Sequence, residues 1–164
     1  MNAIPCIIDV EASGFGSLSF PIEVGVALPD GKRFCSLIKP QPDWQFWQFE
    51  AQALHGITRE LLDKQGRPVI EVCQELNQLL AGKTVYSDGW VVDQPWLITL
   101  FHAAQHRMAF TVSPLDMILT ETQMSVWHSV KQQLIEQSSP TRHRASADAA
   151  LIQQTWMVTR DGST

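Results

Sequence analysis

The stretch Ile4-Pro5-Cys6-Ile7-Ile8-Asp9-Val10-Glu11-Ala12-Ser13-Gly14-Phe15-Gly16 decides how the rest of the chain is read, because a short apolar run ends there on two acids spaced by one residue. Residues i and i+2 of a strand project to the same side, so Asp9 and Glu11 present both carboxylates to one place. Such a place holds a hard cation, or else the acids face solvent ahead of a Gly-rich turn. Other polar groups bear on that choice. A third acid, Asp93, follows a strand-like run at Val85 and Tyr86, and His143 and Asp148 open the last helical segment.

Working outward, residues 4–10 read as a buried strand and Ala-Ser-Gly-Phe-Gly as its turn. Pro21 to Leu28 reads as a second strand. Pro29-Asp30-Gly31 then turns the chain into a third, Arg33 to Ile38, so the three make an antiparallel meander. Trp44, Phe46, Trp47 and Phe49 crowd a Pro- and Gln-rich segment, either as a core plug or as rings that stack on a base. Thr58 caps a short helix that ends at Gly66. Apolar positions 69, 72, 73, 76, 79 and 80 form a helical stripe closed by Gly82. Thr84 to Tyr86 is a short strand, Asp93 to His106 a helix, Phe110 to Val112 the last strand, and Leu115 to Gln137 mostly helix. A polar loop at 138–142 leads into the closing helix, Ala145 to Arg160. A meander followed by strands alternating with helices predicts an α/β domain with a mixed sheet and helices on its faces.

At 164 residues, 45% hydrophobic and 18% charged, the chain has the size and composition of one globular domain, taken as residues 1–164. It offers no apolar run long enough to span a membrane and no basic leader, so the expected address is the cytoplasm. Cys6, Cys35 and Cys73 fit buried thiols better than a disulfide framework or a zinc site. A net charge of −5 argues against gripping long nucleic acid through phosphate neutralisation. It leaves room for an enzyme that holds a few terminal nucleotides through metal ions.

Asp9, Glu11, Asp93 and Asp148 are candidates to meet at one end of the sheet. Crowded carboxylates repel one another, and a divalent ion resolves the repulsion. All-oxygen ligation suits Mg²⁺ or Mn²⁺. Two such ions stabilise the attacking and leaving oxygens of a phosphoryl displacement, with water as nucleophile. His143 is the candidate to take the proton, or else an exposed loop residue between Arg142 and Arg144.

The chain resembles the DnaQ-like 3′–5′ exonucleases, in the DEDD subgroup whose third motif carries a histidine. The matching pieces are Asp9-Val-Glu11-Ala-Ser-Gly14, His55-Gly-Ile-Thr58, Tyr86-Ser-Asp-Gly-Trp-Val-Val-Asp93 and His143-Arg-Ala-Ser-Ala-Asp148, in the family's order. The resemblance implies a ribonuclease H-like fold, a five-stranded mixed sheet with the second strand antiparallel, flanked by helices. It implies that Asp9, Glu11 and Asp148 hold a first metal ion, that Asp9 bridges to a second, that Asp93 completes the set through ligand waters, and that His143 is the general base. It further implies substrate contacts from Ala12 at the 3′-hydroxyl and from Phe15 and Ile57 at the terminal nucleotide. The substrate is then a single-stranded DNA or RNA 3′ end, released as nucleoside 5′-monophosphates.

Two departures stand out. Ala12 replaces the usual Thr, and the second motif has Asp88-Gly89-Trp90 where the family commonly has His-Asn. Asp88 therefore competes with Asp93 as the motif's acid, the spacing to Trp96-Leu97 favouring Asp93. Trp90 is either a base-stacking platform or helix-start packing. Alternative readings are a proofreading subunit docked on a polymerase and a catalytically silent binding module of the same fold. A homodimer that buries the aromatic segment at 44–49 is also open.

Overall fold

The computed structural model describes residues 3–138 and 143–160. The polar loop expected at 138–142 therefore lies, apart from Ser138, outside the described residues. Five strands form one sheet in the order β3-β2-β1-β4-β5. They are β1 (Ile7–Ala12), β2 (Pro21–Ala27), β3 (Arg33–Leu37), β4 (Thr84–Ser87) and β5 (Thr111–Pro114). β2 runs antiparallel to both β1 and β3, while β1, β4 and β5 are parallel. β2 is buried along its whole length, as befits a strand covered on both faces. β1 extends two residues beyond its expected end because Val10, Glu11 and Ala12 pair with Val24, Glu23 and Pro21.

The two faces of the sheet bury different sets. Ile8 and Val10 pack with Val24, Val72, Leu76, Leu97 and Leu100 on the side of α3 (Val69–Leu80) and α4 (Trp90–Ala103). Ile7, of opposite parity, packs with Ala149, Ile152 and Trp156 of α6 (Ala145–Arg160). The period-2 alternation of β1 thus turns Asp9 and Glu11 toward α6. α2 (Arg59–Gln65) begins as expected, its Thr58 hydroxyl accepting the Leu61 N–H. A 3₁₀ turn (Leu115–Ile118) precedes α5 (Glu121–Gln137), which Thr120 and Gln123 open with a reciprocal cap.

An element absent from the sequence reading is α1 (Phe49–His55). It follows the aromatic segment, whose Trp44 stacks on Phe20 at 5.3 Å and whose Trp47 lies 6.3 Å from the same ring. Those two rings plug the core, and Phe49 is left 73% exposed. Cys6 and Cys73 are buried as expected, but Cys35 is exposed, because β3 is an edge strand with an outward face. Among the described residues, no helix is long and apolar enough to cross a membrane.

Candidate active site

β1 and β4 are parallel neighbours from which the chain departs in opposite directions, to β2 and to β5. Their carboxyl ends flank the crevice in which open α/β sheets place ligands. Asp9 and Glu11 lie at that end of β1, where the ladder slips register between Glu11 and Ala12, a bulge of the kind that re-aims a side chain. Asp148, one turn into α6, comes down on them. One carboxylate oxygen from each of Asp9, Glu11 and Asp148 lies within 4.8 Å of the others.

Asp93 enters from the other side, in the first turn of α4, 3% exposed. It accepts a hydrogen bond from the Ser87 hydroxyl at 2.7 Å. His143, with φ of +64°, donates its backbone N–H to Asp148 Oδ1 at 3.2 Å. A cleft of about 310 Å³ opens over the acids, walled by Phe15, Leu54, His55, Trp96 and His143. A larger hollow of about 790 Å³ lies at the opposite ends of β1 and β4, with Lys83 as its charged wall residue. Among the described residues its lining holds no carboxylate or imidazole, whereas the smaller cleft gathers Asp9, Glu11, Asp93, His143 and Asp148.

The carboxylates carry the mark of their crowding. Burial, then Asp93, Glu11 and Asp148, push the Asp9 carboxyl well above its ordinary range. Burial and Asp148 raise Glu11 to about 9. Asp93 is raised to about 7 by burial, against the opposing hydrogen bond from Ser87. Each thus binds a proton more tightly folded than unfolded, where the values are 3.8 for Asp93 and 4.5 for Glu11. The stability they contribute is complete below the unfolded values and is lost as pH rises through the folded ones. Melting temperature in chelator is therefore expected to fall from about pH 5 to pH 9 through these groups, and saturating Mn²⁺ to flatten the decline by replacing protons. A profile in chelator that is flat or rises over that window contradicts the assignment.

No family model matches the chain, and no curated protein sequence matches it. Solved structures do. Escherichia coli exonuclease I in a zinc-bound complex with single-stranded DNA superposes with a TM-score of 0.75 at 13% identity, covering 96% of this chain and 40% of that one. Exonuclease I from Methylocaldum szegediense gives 0.72 at 14% identity, with 96% and 40% covered. The Escherichia coli enzyme with a dA16 oligonucleotide gives 0.73 at 12%, with 96% and 41% covered. The fold is ribonuclease H-like. The chain spans about 40% of the length of these exonuclease I structures.

Within this ribonuclease H-like frame, each residue singled out from sequence has a definite place. Asp9, Glu11, Ala12, Phe15, Asp93, His143 and Asp148 all line the cleft. Phe15 stands 60% exposed at its rim, on a loop tied down where its N–H meets Gln48 Oε1 at 2.7 Å. Gly14 permits that approach, since a Cβ there would lie 2.6 Å from the same oxygen.

Two expectations need correction. Ile57 is fully buried among Phe20, Ile22 and Leu62, so its neighbour two residues back, His55, reaches the cleft instead. The turn at Gly56, φ +72°, sends successive side chains apart. Trp90 packs at the start of α4, its indole N–H donated to the Val112 carbonyl at 2.9 Å, and is not among the cleft walls. This contact supports the helix-start reading of Trp90.

The sequence reading missed Leu54, His55, Val92 and Trp96 as cleft residues. His55 carried a signal, as the first residue of the His-Gly-Ile-Thr segment. It accepts the Ile57 N–H at Nδ1, 3.0 Å, and burial lowers its pKa, so it is a neutral imidazole with its proton on Nε2.

Asp88 sits at the cleft's edge with its carboxylate 3.2 Å from Lys131 Nζ. The Lys131 ammonium balances it, whereas Asp93 faces the acids unpaired with any cation among the described residues. With phosphodiester hydrolysis as the readout, Asp93→Asn is accordingly expected to lower the rate at least about 100-fold, from several kcal/mol of lost charge stabilisation, and Asp88→Asn less than about fivefold. The reverse ranking in initial rates moves the motif's acid to Asp88.

Proposed function

We propose that the chain is a metal-dependent 3′–5′ exonuclease that hydrolyses the terminal phosphodiester of single-stranded nucleic acid and releases nucleoside 5′-monophosphates. The observation that carries this reading is the convergence of the Asp9, Glu11 and Asp148 oxygens within 4.8 Å beside an open cleft that also holds Asp93 and His143. The donor set is all oxygen and anionic, which fits Mg²⁺ or Mn²⁺. Asp9, Glu11 and Asp148 would hold one ion, and Asp9 and Asp93 would serve a second. Bound there, divalent ions supply charge stabilisation to the phosphoryl oxygens and a more acidic water.

The chain's own residues do the rest. His143 accepts the proton of the attacking water, so that the oxygen bonds to phosphorus as the 3′-oxygen of the next nucleotide leaves with a proton from solvent. Ala12 and Phe15 border the terminal nucleotide, with His55 on the facing wall. Among the described residues no Lys or Arg lines the cleft. A phosphodiester thus has no side-chain cation among them to hold it there, and its binding depends on the metal ion. The similarity to exonuclease I structures solved with single-stranded DNA supports that substrate class.

The test uses 5′-labelled DNA and RNA oligonucleotides of one sequence with Mn²⁺, with Mg²⁺ and with chelator. The expected result is a ladder shortening from the 3′ end, 5′-monophosphate products, and no cleavage or binding in chelator. Full-length label on every substrate with either metal overturns the enzyme reading in favour of a silent module of the same fold.

A further inference from the structure

Glu23 is a buried acid, 2% exposed, that stands directly across the β1–β2 ladder from Glu11 but takes no part in the carboxylate cluster. Its oxygens are spent elsewhere. Arg144 Nε donates to Oε1 at 3.0 Å and to Oε2 at 3.1 Å, Arg144 Nη2 donates to Oε2 at 2.6 Å, and the Ala145 N–H donates to Oε1 at 2.8 Å. All these donors belong to Arg144 and Ala145, where the chain enters α6. Two residues along β2, Gly25 lets that turn settle onto the strand, since a Cβ there would lie 2.1 Å from the Ser146 nitrogen.

His143 is the residue immediately before this clamp. Its backbone is left-handed, which a residue bearing a Cβ adopts only where its surroundings hold it there. On one side it is bound to Asp148 through its N–H, and on the other it is joined to an arginine whose guanidinium is chelated by the sheet. Exposed ion pairs contribute little, but here the carboxylate is buried and the guanidinium grips it bidentately, an arrangement that fixes geometry as well as charge.

We propose that Glu23 and Arg144 are positioning residues that hold the His143 imidazole over the carboxylate cluster. The inference rests on the proposed role of His143 and names the residues that make that role workable.

The test combines Glu23→Gln, Arg144→Lys and Arg144→Ala with His143→Ala in a double-mutant cycle. Misplacing a catalytic group by about 1 Å costs up to about 100-fold, so Glu23→Gln is expected to lower kcat by roughly 10- to 100-fold with little change in KM. In the His143→Ala background the same substitution is expected to change kcat by less than about twofold, because the group it positions is already gone. A loss of equal size in both backgrounds, or none in the wild-type background, overturns the proposal.

Two readouts do not need turnover. The His143 ring resonance, assigned by its disappearance in His143→Ala, is expected to move in Glu23→Gln and Arg144→Ala, and Mn²⁺ affinity to stay within about threefold of wild type. An unmoved resonance overturns the clamp even if wild-type protein cleaves nothing, an outcome that separately defeats the nuclease reading. Should Glu23→Gln not fold, Arg144→Lys carries the same comparisons, since it keeps the charge and loses the bidentate grip.

Discussion

Asp9→Asn is expected to abolish nuclease activity and, in chelator, to raise the melting temperature. The two effects have one cause. Asp9 is surrounded by Asp93, Glu11 and Asp148 in a buried setting that pushes its carboxyl well above the ordinary range, so the metal-free fold carries a strained set of acids. Neutralising the central one at constant shape removes repulsion, worth on the order of 1 kcal/mol of stability. It also removes the ligand expected to serve both ions. Losing several kcal/mol of charge stabilisation at a phosphoryl centre lowers the rate about 10³-fold or more.

Thermal melts check the pairing. In EDTA the variant is expected to melt above wild type. In saturating Mn²⁺ the order is expected to reverse, since wild type gains the free energy of ion binding and the variant does not. Melts in the same order under both conditions contradict a cluster built for cations.

Gly25→Ala is expected to be the most damaging substitution of a single methyl group. The added carbon would lie 2.1 Å from the Ser146 nitrogen, 2.3 Å from the Ala145 carbonyl carbon and 2.6 Å from the Ser146 Cα, all backbone and none able to swing away. Relief requires α6 to lift from β2, which opens the contacts of Ala149, Ile152 and Trp156 with Ile7 and Ala27. Overpacking of this kind costs about 3 kcal/mol. The same movement carries Asp148 and His143 away from Asp9 and Glu11, so activity is expected to fall more steeply than stability. Urea unfolding and initial rates on one preparation check both, and a stability loss below about 0.5 kcal/mol shows that helix and strand are not in the contact described here.

Much of the fold was legible because its signals are local. The alternation in Ile7–Ala12 placed Asp9 and Glu11 on one face, the stripe from Val69 to Leu80 announced α3, and Thr58 marked the start of α2. Spacing favoured Asp93 over Asp88 without separating them, and the Lys131–Asp88 pair adds a physical ground for the same choice.

What was not legible depends on tertiary partners. The segment Phe49–His55 has neither a strong apolar stripe nor a capping side chain, and its tie to the aromatic plug, the Trp47 indole N–H donated to Gln52 Oε1 at 2.9 Å, is not announced by the sequence. Ile57 was expected at the terminal nucleotide through the family resemblance, and its burial among Phe20, Ile22 and Leu62 depends on partners distant in sequence that the local segment does not announce. The Glu23–Arg144 pair spans 121 residues, and nothing in the sequence distinguishes those two charges from their neighbours.

The account turns on whether Asp9, Glu11 and Asp148 seat a divalent ion. Anomalous diffraction at the manganese edge, from crystals soaked in Mn²⁺ and a nucleoside 5′-monophosphate, measures that directly. The expected result is a manganese peak bonded to all three carboxylates with the nucleotide phosphate beside it. A cleft without manganese at saturating concentration, or manganese bound only elsewhere on the protein, contradicts it.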